Sequence, residues 1–149
     1  MRRAPFQILV FLRRDNDGIV EYLILKRVDM GAWQGIAGGG EDDEAPAEAA
    51  IRETLEETGV TVSGLIDLES VETLSVLTVA GFYQWGEGVE LIPEYSFCAD
   101  VPFDTPIRLS GEHTEYRWCD LQRALELLEW DSNKKALIAA ESLRLAESD

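Results

Sequence analysis

Two apolar runs, PFQILVFLRR (residues 5–14) and IVEYLILKR (residues 19–27), are separated only by DNDG. Each run is long enough for a strand. Asp17-Gly18 between them is a strong hairpin signal, because Gly18 takes positive φ without steric cost. The same aspartates do not make a calcium loop: Gly18 is the fourth residue counted from Asp15, whereas an EF-hand needs glycine at its sixth position. The chain is thus committed at its start to a sheet that later segments must cover.

Those segments come in a definite order. Residues 28–44, VDMGAWQGIAGGGEDDE, read as a Gly-rich, acidic loop containing a short extended piece. Residues 45–58, APAEAAIRETLEET, read as a helix. Pro46 suits its first turn and Gly59 its stop. Ala47, Ile51 and Leu55 recur every four residues as an apolar stripe, with the acidic residues on the opposite side. Further strands are expected within residues 65–85, 95–101 and 115–120. Residues 120–128 predict a second helix with Asp120 as N-cap, and residues 131–147 a third, capped by Asp131 or Ser132. This order predicts an α/β (α+β) sandwich, a mixed sheet between helices, over a single domain of residues 1–149.

The net charge of −16 argues against a nucleic-acid polymer as partner, since there are too few basic residues to displace counterions. No run approaches the roughly 20 apolar residues that span a bilayer, so no membrane partner is expected. The start, MRRAPFQILVFLRRDNDG, has a short apolar run followed at once by Arg13 and Arg14 and reads as a strand rather than a signal peptide; a cytoplasmic location is expected. Cys98 and Cys119, 21 positions apart, fit neither zinc-ligand nor disulfide spacing.

Residues 38–60 hold eight acidic side chains against one basic one, Arg52. Glu53, Glu56 and Glu57 occupy i, i+3 and i+4 of the helix, within an arc of about 100°. Three carboxylates so placed resist ionising together unless a cation compensates, and hard oxygen ligands suit Mg²⁺ or Mn²⁺. Read from spacing alone, the same residues also fit a solvated acidic face.

The longer pattern is more specific. Gly38, Glu44 six positions on and then RETLEETGV from Arg52 to Val60 resemble the signature of the Nudix hydrolases, Gly-x5-Glu-x7-Arg-Glu-apolar-x-Glu-Glu-x-Gly-apolar. All seven fixed residues match; Thr54 stands where an aliphatic residue is usual. The resemblance implies a Nudix fold and metal-assisted attack of water on a diphosphate linkage. It implies that Glu53, Glu56, Glu57 and the Gly38 carbonyl bind Mg²⁺, and that Glu53 or Glu56 also takes a proton from the attacking water. It gives Arg52 a structural task, pairing with Glu44 and steadying a catalytic glutamate. SGEHTEYRW (residues 110–118) resembles a late catalytic loop of several members, and Glu112, ahead of Glu115, is the expected extra metal ligand or base. His113 is expected to be a loop hydrogen-bonder.

WQ at residues 33–34, EHTEYRW and WDSNKKAL more weakly resemble the dihydroneopterin triphosphate pyrophosphatases. On this reading Arg27 contacts phosphate, Tyr83 and Trp85 stack on a base or pterin, and Trp33 packs in the core. The expected partner is a small anionic phosphate compound, a nucleoside (dATP-like) or pterin triphosphate cleaved to monophosphate and pyrophosphate. ADP-ribose hydrolysis and a non-catalytic nucleotide sensor are the alternatives, and a homodimer is left open.

Overall fold

The structure, a computed structural model, describes residues 3–75 and 91–148. In chain order the elements are β1 (Arg3–Asn16), β2 (Ile19–Arg27), β3 (Trp33–Gln34), β4 (Ile36–Glu41), α1 (Pro46–Thr58), β5 (Ile66–Ser75), β6 (Leu91–Asp100), β7 (His113–Cys119), α2 (Leu121–Leu127) and α3 (Asp131–Ser148). The expected hairpin is present. Asp17 and Gly18 both have positive φ (53° and 93°), as a tight two-residue turn requires. The Asp15 carboxylate accepts from the Gly18 N–H at 2.7 Å.

β1 runs through the centre of a mixed sheet. It pairs in parallel with β6 along one edge, Val10 opposite Phe97. Along its other edge it pairs antiparallel with β2 near the hairpin, Arg13 opposite Tyr22, and with β4 further from it, Ile8 opposite Gly38. β1 and β2 therefore diverge, and the stretch expected as a loop fills the opening with two strands: β3 on β2, Leu25 opposite Gln34, and β4 on β1. β7 lies antiparallel on β2, and β5 antiparallel on β6.

The pleat explains the sequence of β1. Ile8, Val10 and Leu12 enter one apolar cluster with Ala49 and Ala50 of α1. Leu9 and Phe11 enter another with Ala124 of α2 and Ala136, Leu137 and Ala140 of α3. A strand covered on both faces needs a continuous apolar run rather than alternation. Trp33 and the buried Cys98 and Cys119 belong to the second cluster or its border. Asp120 caps α2, its carboxylate accepting from the Arg123 N–H at 2.8 Å. α3 begins at Asp131 itself, one residue ahead of a helix capped there, and the Trp130 carbonyl accepts from the Lys134 N–H. No helix among the described residues is long and apolar enough to cross a membrane.

The packing face of α1 differs from the stripe read in its sequence. Ala49, Ala50, Thr54, Glu57 and Thr58 are buried, while Ala47, Ile51 and Leu55 face outward. α1 lies close over Gly38 of β4, where a Cβ would meet the Glu53 carboxyl, and close approach favours small side chains on the helix face. Thr54 satisfies its hydroxyl by donating to the Ala50 carbonyl at 2.7 Å, which lets it stand fully buried where an aliphatic residue is usual.

Candidate active site

α1 presents its carboxylates at the opening between β1 and β2. Pro46 begins the helix, and the Glu48 side chain accepts from the Ala45 N–H at 2.8 Å. Gly59, in the left-handed region at φ 75°, ends it by donating to the Leu55 carbonyl. Arg52 organises the outer part of the row. It makes a bidentate pair with Glu44 at 2.8 and 3.0 Å and also donates to Glu53 at 3.0 Å, Glu56 at 3.2 Å and the Gly39 carbonyl at 2.9 Å. The guanidinium holds the Glu44 carboxyl below the usual carboxylate range, and the Glu44 hydrogen bond in turn raises the Arg52 pKa.

The inner part is drier. Glu53 lies against Gly38 so closely that a Cβ there would stand 2.2 Å from its carboxyl carbon. Burial raises the Glu53 pKa, against the lowering influence of Glu57 and Arg52. Glu57 is buried more deeply, and burial, then the neighbouring Glu53, push its pKa well above the usual carboxylate range. Neither Glu57 oxygen makes a hydrogen bond of ordinary geometry, although the Glu53 carboxyl and the Ala37 N–H lie near enough to act on it. His113 stands 3.5 Å away and, contrary to the loop role expected of it, opens β7 as a buried residue with neither ring nitrogen bonded. Burial lowers its pKa.

These groups border a cavity of about 590 Å³. Gly38, Arg52, Glu53, Glu56, Glu57 and Glu112 line it; Glu115 does not, and instead pairs with Lys26 at 3.5 Å. Arg27 lines the cavity with its guanidinium engaged by Asp29 at 2.9 and 2.7 Å. Tyr83 and Trp85 lie outside the described residues. Among the described residues no three acidic, histidine or cysteine side chains converge as a ready-made metal cage, and Arg52 draws on Glu53 and Glu56. The donor chemistry nevertheless fits a hard divalent cation: carboxylates with two buried oxygens on Glu57 that make no hydrogen bond of ordinary geometry, beside a glycine whose missing side chain leaves room for Glu53.

The cavity also has a wall that the sequence did not assign. Gln7, Gln34, Glu94 and Asn133 are buried there, with Met30 and Trp130 nearer solvent. Asn133 accepts from the Gly35 N–H at 2.8 Å, tying the start of α3 to the junction of β3 and β4. Gln7 and Glu94 had one legible signal, a polar residue interrupting an apolar strand.

The sequence model of the NUDIX domain matches residues 3–140. The chain belongs to the Nudix family. It is a Nudix hydrolase, of the class that acts on phosphorus-containing anhydrides. It is 28% identical over 139 residues to the dihydroneopterin triphosphate diphosphatase of Escherichia coli (strain K12), covering 91% of each chain. It is 32% identical over 119 residues to the asymmetrical bis(5'-nucleosyl)-tetraphosphatase of Rattus norvegicus, covering 79% of this chain and 76% of that one. A match at 37% identity over 109 residues to an octanoyltransferase of Myxococcus xanthus covers 71% of this chain but only 28% of that protein. Among solved structures, a NUDIX-hydrolase-family protein from Listeria monocytogenes superposes with a TM-score of 0.84 at 35% identity, covering 98% of this chain and 97% of that one.

Proposed function

We propose that this Nudix hydrolase cleaves the diphosphate linkage of a nucleoside (dATP-like) or pterin triphosphate, releasing a monophosphate and pyrophosphate, with Mg²⁺ (or Mn²⁺) as cofactor. The observation that carries the reading is the glutamate row of α1 lining a cavity, with Glu57 buried and short of partners. Gly38 through its carbonyl, Glu53, Glu56, Glu57 and Glu112 would hold the metal. Bound there, it would supply charge neutralisation for the phosphates and a lowered pKa for water. Glu53 or Glu56 takes the proton of the attacking water, and Arg52 holds both within reach. Arg27 meets a phosphate oxygen by giving up Asp29. Tyr83 and Trp85 are retained as stacking residues.

The choice of a triphosphate draws support from the near full-length match to a dihydroneopterin triphosphate diphosphatase and from the amide-bearing wall, suited to hydrogen-bonding a heterocycle. A dinucleoside polyphosphate is the second reading, favoured by the rat relative. ADP-ribose and a non-catalytic sensor rank below both, the sensor because all three α1 glutamates are present.

The test is phosphate release with Mg²⁺, with and without added inorganic pyrophosphatase, across dNTPs, dihydroneopterin triphosphate, a diadenosine polyphosphate and ADP-ribose. A pyrophosphatase-dependent signal from a triphosphate is expected. Turnover of ADP-ribose alone, of the dinucleotide alone, or of nothing overturns the reading.

A further inference from the structure

His113 is the one histidine of the chain, and the proposed chemistry does not use it. It does not line the cavity, so it has no direct reach to a substrate. It lies behind Glu57 instead. The two side chains are each 2% exposed and approach to 3.5 Å, His113 Nε2 to Glu57 Oε1. Neither ring nitrogen has a hydrogen-bond partner, and the Glu57 oxygens make no bond of ordinary geometry, although the Glu53 carboxyl and the Ala37 N–H lie near them. A buried imidazole with neither nitrogen paired is costly, and the Glu57 carboxyl is the group that faces it. A closer approach of about 0.4 Å would bring them to ordinary hydrogen-bond distance.

The backbone fixes the direction of that approach. His113 pairs with Arg27 across β7 and β2, and the Glu112 carbonyl accepts from the Val28 N–H at 2.9 Å. One pinned dipeptide thus delivers a carboxylate to the cavity, from Glu112, and an imidazole to the far side of Glu57. A neutral imidazole carries a single N–H, and only its Nε2 faces Glu57 here.

We infer that His113 is a positioning residue whose Nε2–H bonds Glu57 Oε1, thereby fixing which Glu57 oxygen is turned to the cavity. The inference rests on the reading that Glu57 holds the metal, and gives that ligand an outer-shell partner. Such partners set the orientation and basicity of a metal-binding side chain.

A lone histidine makes the test clean, since the chain yields a single set of imidazole ¹⁵N signals. In the intact protein the proton is expected on Nε2, with an Nε2 resonance that moves in Glu57→Gln and stays in place in Glu115→Gln. A proton on Nδ1, or an Nε2 resonance unmoved by Glu57→Gln, overturns the inference. A second arm titrates Mn²⁺ by electron paramagnetic resonance. His113→Leu is expected to bind Mn²⁺ about 10–100-fold more weakly. Its kcat should fall with KM little changed, and His113→Gln, which returns an amide donor near the Nε2 position, should recover most of both. Parental Mn²⁺ affinity in folded His113→Leu also overturns it. Should His113→Leu not fold, the resonances of the parent and Glu57→Gln decide. Neither the resonances nor the Mn²⁺ titration needs a substrate, so the inference and the triphosphate reading fail separately.

Discussion

Arg52 and His113 flank the same row of glutamates, and the two flanks solve the crowding of negative charge differently. On the Arg52 side one guanidinium makes five hydrogen bonds, to Glu44, Glu53, Glu56 and the Gly39 carbonyl. That side is complete as the protein stands. On the His113 side Glu57 is buried with a raised pKa, and what faces it is not a guanidinium but an imidazole nitrogen at 3.5 Å. The difference is graded along one helix: a guanidinium meets Glu44 and Glu56 outright, Glu53 only in part, and Glu57 not at all.

The sharpest way to break this comparison is Glu57→Gln. If Glu57 serves chemistry, the variant loses about 4 kcal/mol of barrier lowering, a drop on the order of 10³-fold in kcat. Its stability should be equal or higher, because an uncompensated buried acid has been made neutral. Turnover and a thermal melt on one preparation decide. A variant that melts much earlier and retains activity would move Glu57 to the structural side. Gly38→Ala is expected next in size. The new Cβ collides with the Glu53 carboxylate, the far end of a flexible side chain. Glu53 can swing aside at little cost in stability, but misplacing a catalytic group by about 1 Å costs about 10²-fold in rate. A Gly38→Ala enzyme with parental kcat would show that the position of Glu53 does not matter.

How much of this was legible beforehand depends on how local each feature is. The hairpin, the helix bounds with Gly59 at the stop, and Arg52 with its glutamates all sit within short stretches, where turn stereochemistry and helical spacing act between near neighbours. Gln7, Gln34, Glu94 and Asn133 come from β1, β3, β6 and α3, and only the splaying of β1 from β2 brings them to one cavity. No local rule announces that. The burial of His113 is hidden for the same reason: Glu57, which it faces at 3.5 Å, lies on a distant element. Glu112 and Glu115 show the limit from the other side, since the residue pattern offered both and the register of β7 against β2, which sets Glu115 opposite Lys26, tells them apart.

Arg52→Ala tests the structural flank, with a smaller effect. Removing a partly buried guanidinium strands several carboxylates and should cost about 2 kcal/mol of stability. Arg52→Lys should recover little, since an ammonium cannot make the bidentate pair with Glu44. The pH dependence follows from sign. Arg52 depresses the folded-state pKa of Glu44, so the stabilisation is present above the unfolded-state pKa and is lost as pH falls through the lower folded-state value. The gap between parent and Arg52→Ala melting temperatures is therefore expected to narrow in acid. A gap constant from neutral pH down into the carboxylate range would mean that the pairing adds nothing to stability.

The smallest effect concerns the outer face of α1. Ile51 and Leu55 are 39% and 49% exposed, although they are the largest apolar residues of the helix. Periodicity alone would bury them, but α1 meets β4 through Ala49, Ala50 and Thr54, whose size permits the close approach that sets Glu53 against Gly38. Serine at either exposed position should therefore cost only about 0.5 kcal/mol and leave kcat unchanged. Chemical denaturation of the two variants measures this directly. A loss of several kcal/mol would turn α1 around its axis, put Ile51 and Leu55 into the core, and take Glu53 and Glu57 away from the cavity together.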